Sequence, residues 1–78
     1  MKKVEIYTTP TCHFCHMAKE FFKANGIEYI EHDVAADTTK RQEMVEMTGQ
    51  LGVPVIVIDS KDAIIGFDEK ALRKLIAI

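Results

Sequence analysis

The chain has 78 residues, 47% of them hydrophobic and 28% charged, with ten Lys and Arg against twelve Asp and Glu. That length allows a single domain over residues 1–78, whose small core demands regular elements. The apolar fraction and a net charge of −2 exclude a disordered chain, and the balanced charge argues against a nucleic-acid partner.

Val4-Glu5-Ile6-Tyr7 alternates apolar and polar residues and predicts a strand, ended by Thr8-Thr9-Pro10-Thr11. From Cys12 to Asn25 the spacing turns helical, with Phe14, Met17, Ala18, Phe21 and Phe22 at three- and four-residue steps, and Asn25-Gly26 is a stop. Glu28 to His32 predicts a second strand, with Val34 extending its apolar face. Asp37, Thr38 and Thr39 are candidate caps for a second helix, Thr39 pairing with Gln42 as a capping box. Met44, Val45, Met47 and Thr48 share one side of that helix, Met44 and Met47 are expected to face the core, and Gly49 ends it. Val53-Pro54-Val55-Ile56-Val57-Ile58 is a short apolar run, read as a strand covered on both faces. A turn at Asp59–Asp62, a returning strand at Ala63–Gly66 and a last helix capped by Asp68 complete the chain, with Leu72, Leu75 and Ile76 as its apolar stripe. The order is β-α-β-α-β-β-α, which the crossover rule turns into an α/β fold: a four-stranded mixed sheet with helices on both faces.

No apolar run approaches the roughly 18 residues of a membrane span, and Glu5 falls where a signal peptide needs its apolar stretch. A cytoplasmic monomer without membrane attachment is therefore expected. In that compartment a pair of cysteines is more often catalytic or metal-binding than a structural staple.

The pair Cys12-His13-Phe14-Cys15 stands where the first strand hands over to the first helix. Three-residue spacing there brings both sulfurs to one side of the first turn, where backbone N–H groups have no intrahelical partner. The helix dipole favours a thiolate by only about 0.3–1 kcal/mol, whereas a hydrogen bond to a charged acceptor contributes about 1.5–3 kcal/mol. Hydrogen bonds from the turn should therefore dominate. Cys12, at the helix start, is the expected nucleophile; Cys15, one turn inside, is suited to resolve a mixed disulfide. A purely structural disulfide would close too short a loop to join distant parts of the chain. Zinc needs four ligands, and no second cysteine or histidine pair is available at finger spacing. Cys12 to His16 also fits the C-x-x-C-H haem pattern, with Met44 or Met47 as the other axial ligand, but the missing export signal and the second-half strands oppose it. Tyr7 and Phe14 are candidates to line the sulfur surface or to pack in the core. No bound metal or cofactor is expected.

The cysteine pair after a strand, the Val53-Pro54 step before the next apolar strand and the Gly66-Phe67-Asp68 corner together resemble the glutaredoxin family, within the thioredoxin fold. The resemblance runs from Val4 to the last helix. It implies a small thiol–disulfide oxidoreductase acting on protein or small-molecule disulfides. It also implies that Pro54 is cis and faces the disulfide, and that the backbone of Val53 pairs with an extended substrate. For glutathione it implies contacts from Arg41 and from Asp68 with the N–H groups of Phe67 and Asp68. Thr9, Gly52 and Ile65 stand where the family usually has lysine, threonine and glycine. These departures lean away from glutathione, and the Gly66-Phe67 step is similar to the glutaredoxin-like redoxins that take electrons from thioredoxin reductase. Either donor is thus open, and His13-Phe14 in place of the usual Pro-Tyr is expected to make the pair more oxidising. Some members of the family instead carry an iron–sulfur cluster between two chains, which is the alternative function.

Overall fold

The computed structural model describes residues 2–77. Strand β1 (Val4–Thr8) leads into helix α1 (His13–Ala24), followed by β2 (Ile30–Asp33), α2 (Thr38–Thr48), β3 (Val55–Ile58), β4 (Asp62–Ile65) and α3 (Glu69–Ile76). The strands form one sheet in the order β2-β1-β3-β4. β1 pairs parallel with β2 and antiparallel with β3, and β3 pairs antiparallel with β4. This is the expected mixed sheet of the thioredoxin fold.

Alternation in the two central strands builds two cores. Val4 and Ile6 of β1 with Ile56 and Ile58 of β3 pack against Ala18, Phe21 and Phe22 of α1 and Leu72 of α3. Tyr7, Val55 and Val57 point the other way, onto Met44 of α2 and Val34. Helices α1 and α3 thus cover one face and α2 the other, and all four residues of β3 are buried. A strand covered on both faces has no need of polar alternation, which explains its continuous apolar run.

The boundaries differ from expectation in physically simple ways. β2 starts at Ile30, not Glu28, because Tyr29 turns its ring onto Phe22, 5.2 Å between centroids, and joins the α1 core. β3 starts at Val55, since a cis Val53–Pro54 bond and a bend at Val53 precede the ladder. β4 runs from Asp62 to Ile65, leaving Gly66 outside at φ 87°, a left-handed conformation suited to glycine. Between β3 and β4, Asp59 and Ser60 have φ of 54° and 56°, and the Lys61 N–H donates to the Ile58 carbonyl. Positive φ at both central residues of this turn matches the twist of the flanking strands.

Helix α2 is capped by Asp37, whose carboxylate accepts the Lys40 N–H at 3.0 Å. Thr39 lies inside the helix and makes no capping box; Gln42 donates instead to Glu46. Met44 is fully buried, but Met47 is 46% exposed. Met47 stands about 60° around the helix from Met44, and the buried stripe of α2 is only one residue wide, so Met47 falls outside it.

Candidate active site

The loop after β1 bends back at once. The Cys12 N–H donates to the Thr9 carbonyl, and the extended backbone of Cys12, φ −84° and ψ 111°, makes it the N-cap of α1. Its Sγ accepts the Cys15 N–H at 3.1 Å, the role that a Ser or Asp oxygen usually plays at a cap. Cys12 and Cys15 form a disulfide with their Cα atoms 5.2 Å apart. Cys12 is partly exposed, whereas Cys15 is only 1% exposed. The two sulfurs therefore have unequal access to solvent. Once the pair is reduced, the same Cys15 N–H is placed to hold a Cys12 thiolate, a charge-assisted bond of about 1.5–3 kcal/mol.

Phe14, between the cysteines, is 56% exposed and meets His13 edge-on. Tyr7 does not line the sulfur surface: it is buried in the α2 core with its ring 4.9 Å from that of His32. Burial, reinforced by the negative charge of Glu5, pushes its phenol above the ordinary value. His32 Nε2 lies 3.1 Å from Glu5 Oε1 across the β1–β2 pair. His16 is exposed on α1, and Met44 and Met47 lie on α2 across the sheet, so no haem could take His16 and either methionine as its two axial ligands. Among the described residues no cluster of three or more His, Cys, Asp or Glu side chains could hold a metal.

Pro54 is buried, follows a cis bond as expected, and its carbonyl accepts the Gly66 N–H at 2.8 Å. That bond ties the Gly66-Phe67-Asp68 corner to the proline turn. Among the described residues, neither the N–H nor the carbonyl of Val53 has a hydrogen-bond partner. The same holds for the N–H groups of Phe67 and Asp68. The Phe67 ring packs on Phe21, 5.9 Å between centroids, and Asp68 accepts the Ala71 N–H at 3.1 Å as the cap of α3. Both side chains thus have clear structural work. Arg41 is exposed on α2 and, among the described residues, makes no ion pair. It lies on α2, on one face of the sheet, whereas Asp68 caps α3 on the other.

Two polar arrangements near the site escaped the sequence reading. Thr8, buried at the end of β1, donates to Glu31 at 2.8 Å, and Lys19 of α1 donates to the same carboxylate oxygen at 3.0 Å. Burial pushes the Glu31 carboxyl up, but the bonds from Lys19 and Thr8 and the Lys19 charge outweigh it, leaving the group below its ordinary value. The Gln50 side chain folds back onto its own loop beside Gly52. Neither feature follows a local motif; both depend on which residues the loops bring together.

Comparison with known proteins agrees with this geometry. A family model described as Glutaredoxin matches residues 4–63. An uncharacterised glutaredoxin-like protein of Clostridium pasteurianum is 42% identical over 73 residues, covering 94% of this chain and 96% of that one. Glutaredoxin 3 of Escherichia coli K12 is 39% identical over 61 residues, 78% of this chain and 74% of its own. Among solved structures, the glutaredoxin of Archaeoglobus fulgidus superposes with a TM-score of 0.83 at 26% identity, over 97% of this chain and 87% of that one. The chain belongs to the glutaredoxin family, redox proteins of thioredoxin fold, and Cys12 and Cys15 are its redox-active pair.

Proposed function

We propose that the protein reduces disulfides by a two-cysteine cycle in which Cys12 attacks and Cys15 resolves. The Cys12 thiolate attacks one sulfur of a substrate disulfide, forms a mixed disulfide and expels the other sulfur as thiolate. Cys15 then loses its proton and attacks the Cys12 sulfur. The substrate's second sulfur leaves and takes up a proton, and two electrons have passed from the cysteine pair to the substrate. The observation that carries this reading is the asymmetry of the pair: a capping, partly exposed Cys12 that receives an amide N–H, beside a buried Cys15. Extended peptide disulfides fit as substrates because the free N–H and carbonyl of Val53 can pair with one residue of an added strand.

The cycle needs no bound cofactor, only a donor that reduces Cys12–Cys15 again. Free N–H groups at Phe67 and Asp68 and the unpaired Arg41 support glutathione, whose carboxylates they could receive. Thr9, Gly52 and Ile65 offer it no charge, and the exposed apolar Ile65 supports a protein donor of thioredoxin-reductase type. Offering the oxidised protein each donor system in turn, coupled to NADPH consumption, distinguishes them.

The cysteine roles are tested by mass spectrometry during turnover. Cys15→Ser accumulates a mixed disulfide on Cys12, and Cys12→Ser forms none and reduces no substrate. Full turnover by Cys12→Ser would refute the assignment.

A further inference from the structure

Between α2 and the proline turn, one side chain makes bonds that the disulfide cycle does not use. Gln50 Nε2 donates to the Gly52 carbonyl at 3.1 Å and lies 3.3 Å from Thr48 Oγ1. The Gly52 N–H donates back to Gln50 Oε1 at 2.5 Å. One carboxamide thus takes both backbone groups of Gly52, the two-bond exchange that a residue on a facing antiparallel strand would make. Thr48 in turn donates to the Met44 carbonyl at 2.8 Å, and the Met44 side chain is fully buried. A continuous polar chain therefore runs from a core-anchored turn of α2 to the residue just before Val53.

Gly52 is itself fitted to this arrangement. A Cβ at that position would stand 2.5 Å from Gln50 Oε1, so any larger residue must push the carboxamide out. The Gly52 N–H and carbonyl are both taken by Gln50, while those of the next residue, Val53, have no partner among the described residues.

We infer that Gln50 is a positioning residue for substrate: its carboxamide fixes Gly52 so that the Val53 N–H and carbonyl are held ready to pair with an extended peptide disulfide. The inference rests on the Val53 pairing proposed above. Without the clamp the loop must be ordered by the peptide itself, so binding weakens while the chemistry at Cys12 is untouched.

The test uses pre-reduced protein in single turnovers, which removes the electron donor from the measurement. The half-saturation concentration and limiting rate are compared for an extended peptide disulfide and for hydroxyethyl disulfide. Gln50→Ala raises the peptide's half-saturation concentration about fivefold, the worth of roughly one net hydrogen bond, at an unchanged limiting rate. Its rates with hydroxyethyl disulfide match the unsubstituted protein. Gly52→Ala does the same by displacing the carboxamide, and the double variant is no weaker than either single one, because both remove one interaction. Additive losses, equal losses with both substrates, or an unchanged peptide constant each overturn the role of Gln50. A peptide N-methylated at its pairing residue separates the two layers. If methylation leaves the unsubstituted protein's half-saturation unchanged, the Val53 pairing itself fails and the inference falls with it. If methylation weakens binding and Gln50→Ala does not, only the clamp is wrong.

Discussion

The Thr8 hydroxyl donates to the Glu31 carboxylate at 2.8 Å, joining the buried end of β1 to the edge strand β2 just before the chain turns toward Cys12. Lys19 of α1 closes on the same oxygen from the helix side. Sheet and helix are thereby pinned together at the end that carries the cysteine pair.

A consequence is a specific acid dependence of stability. The Glu31 carboxyl lies below its ordinary value in the folded protein, so it binds its proton less readily than in the unfolded chain. Its contribution is therefore complete above the ordinary carboxylate range and is lost as pH falls through the lower folded value. The Glu31 side chain is 39% exposed, and screening holds the contribution to about 0.2–1 kcal/mol. Glu31→Gln should flatten the acid limb of the stability profile by that amount, read from urea unfolding at neutral and acid pH. An acid limb identical to that of the unsubstituted protein would show that the bonds to Thr8 and Lys19 contribute nothing.

Two methionines of α2 give a sharper contrast. Met44 is fully buried against Tyr7, Val34, Val55 and Val57, so Met44→Ala leaves a cavity and should cost about 2–5 kcal/mol. Met47 is nearly half exposed, and Met47→Ala should change stability by less than about 0.5 kcal/mol. Denaturant midpoints of the two variants check both values; comparable losses would mean that α2 is rotated about its axis.

That contrast also marks where the sequence was legible. Strand and helix order followed from periodicity, because β1, β3 and α1 each carry an apolar pattern of their own. The cysteine pair and Val53-Pro54 were legible because their chemistry is tied to residue type. The face of α2 was not: Met44 alone is buried in a helix whose other residues are polar or partly exposed, so there is too little stripe to set a phase. Nor was Tyr29, an apparent strand residue whose ring found Phe22 instead of a ladder. Gln50 gave no signal at all, since its bonds exist only once the loop has closed around Gly52.

Unequal access of the two sulfurs predicts unequal alkylation. In the reduced native protein, iodoacetamide should modify Cys12 and spare Cys15, which is 1% exposed on the inner side of α1. Intact mass would show one adduct, and peptide mapping would place it on Cys12. Unfolding before treatment should give two. Rapid modification of both thiols in the native protein would remove the distinction on which attack and resolution rest.

Asp68 combines two separable properties, a cap and a charge. Its carboxylate accepts the Ala71 N–H, and Asp68→Ala should lower stability by about 0.5–2 kcal/mol. Asparagine caps a helix about as well as aspartate, so Asp68→Asn should unfold at the same denaturant concentration as the unsubstituted protein. A γ-glutamyl ammonium group beside Asp68 would feel the lost charge, and reduction by glutathione should slow several-fold in Asp68→Asn. Added salt should shrink the difference between Asp68→Asn and the unsubstituted protein, because screening weakens an exposed charge pair. If Asp68→Asn keeps both its stability and its full rate with glutathione, the side chain acts at this corner only as a cap, and the donor is recognised elsewhere.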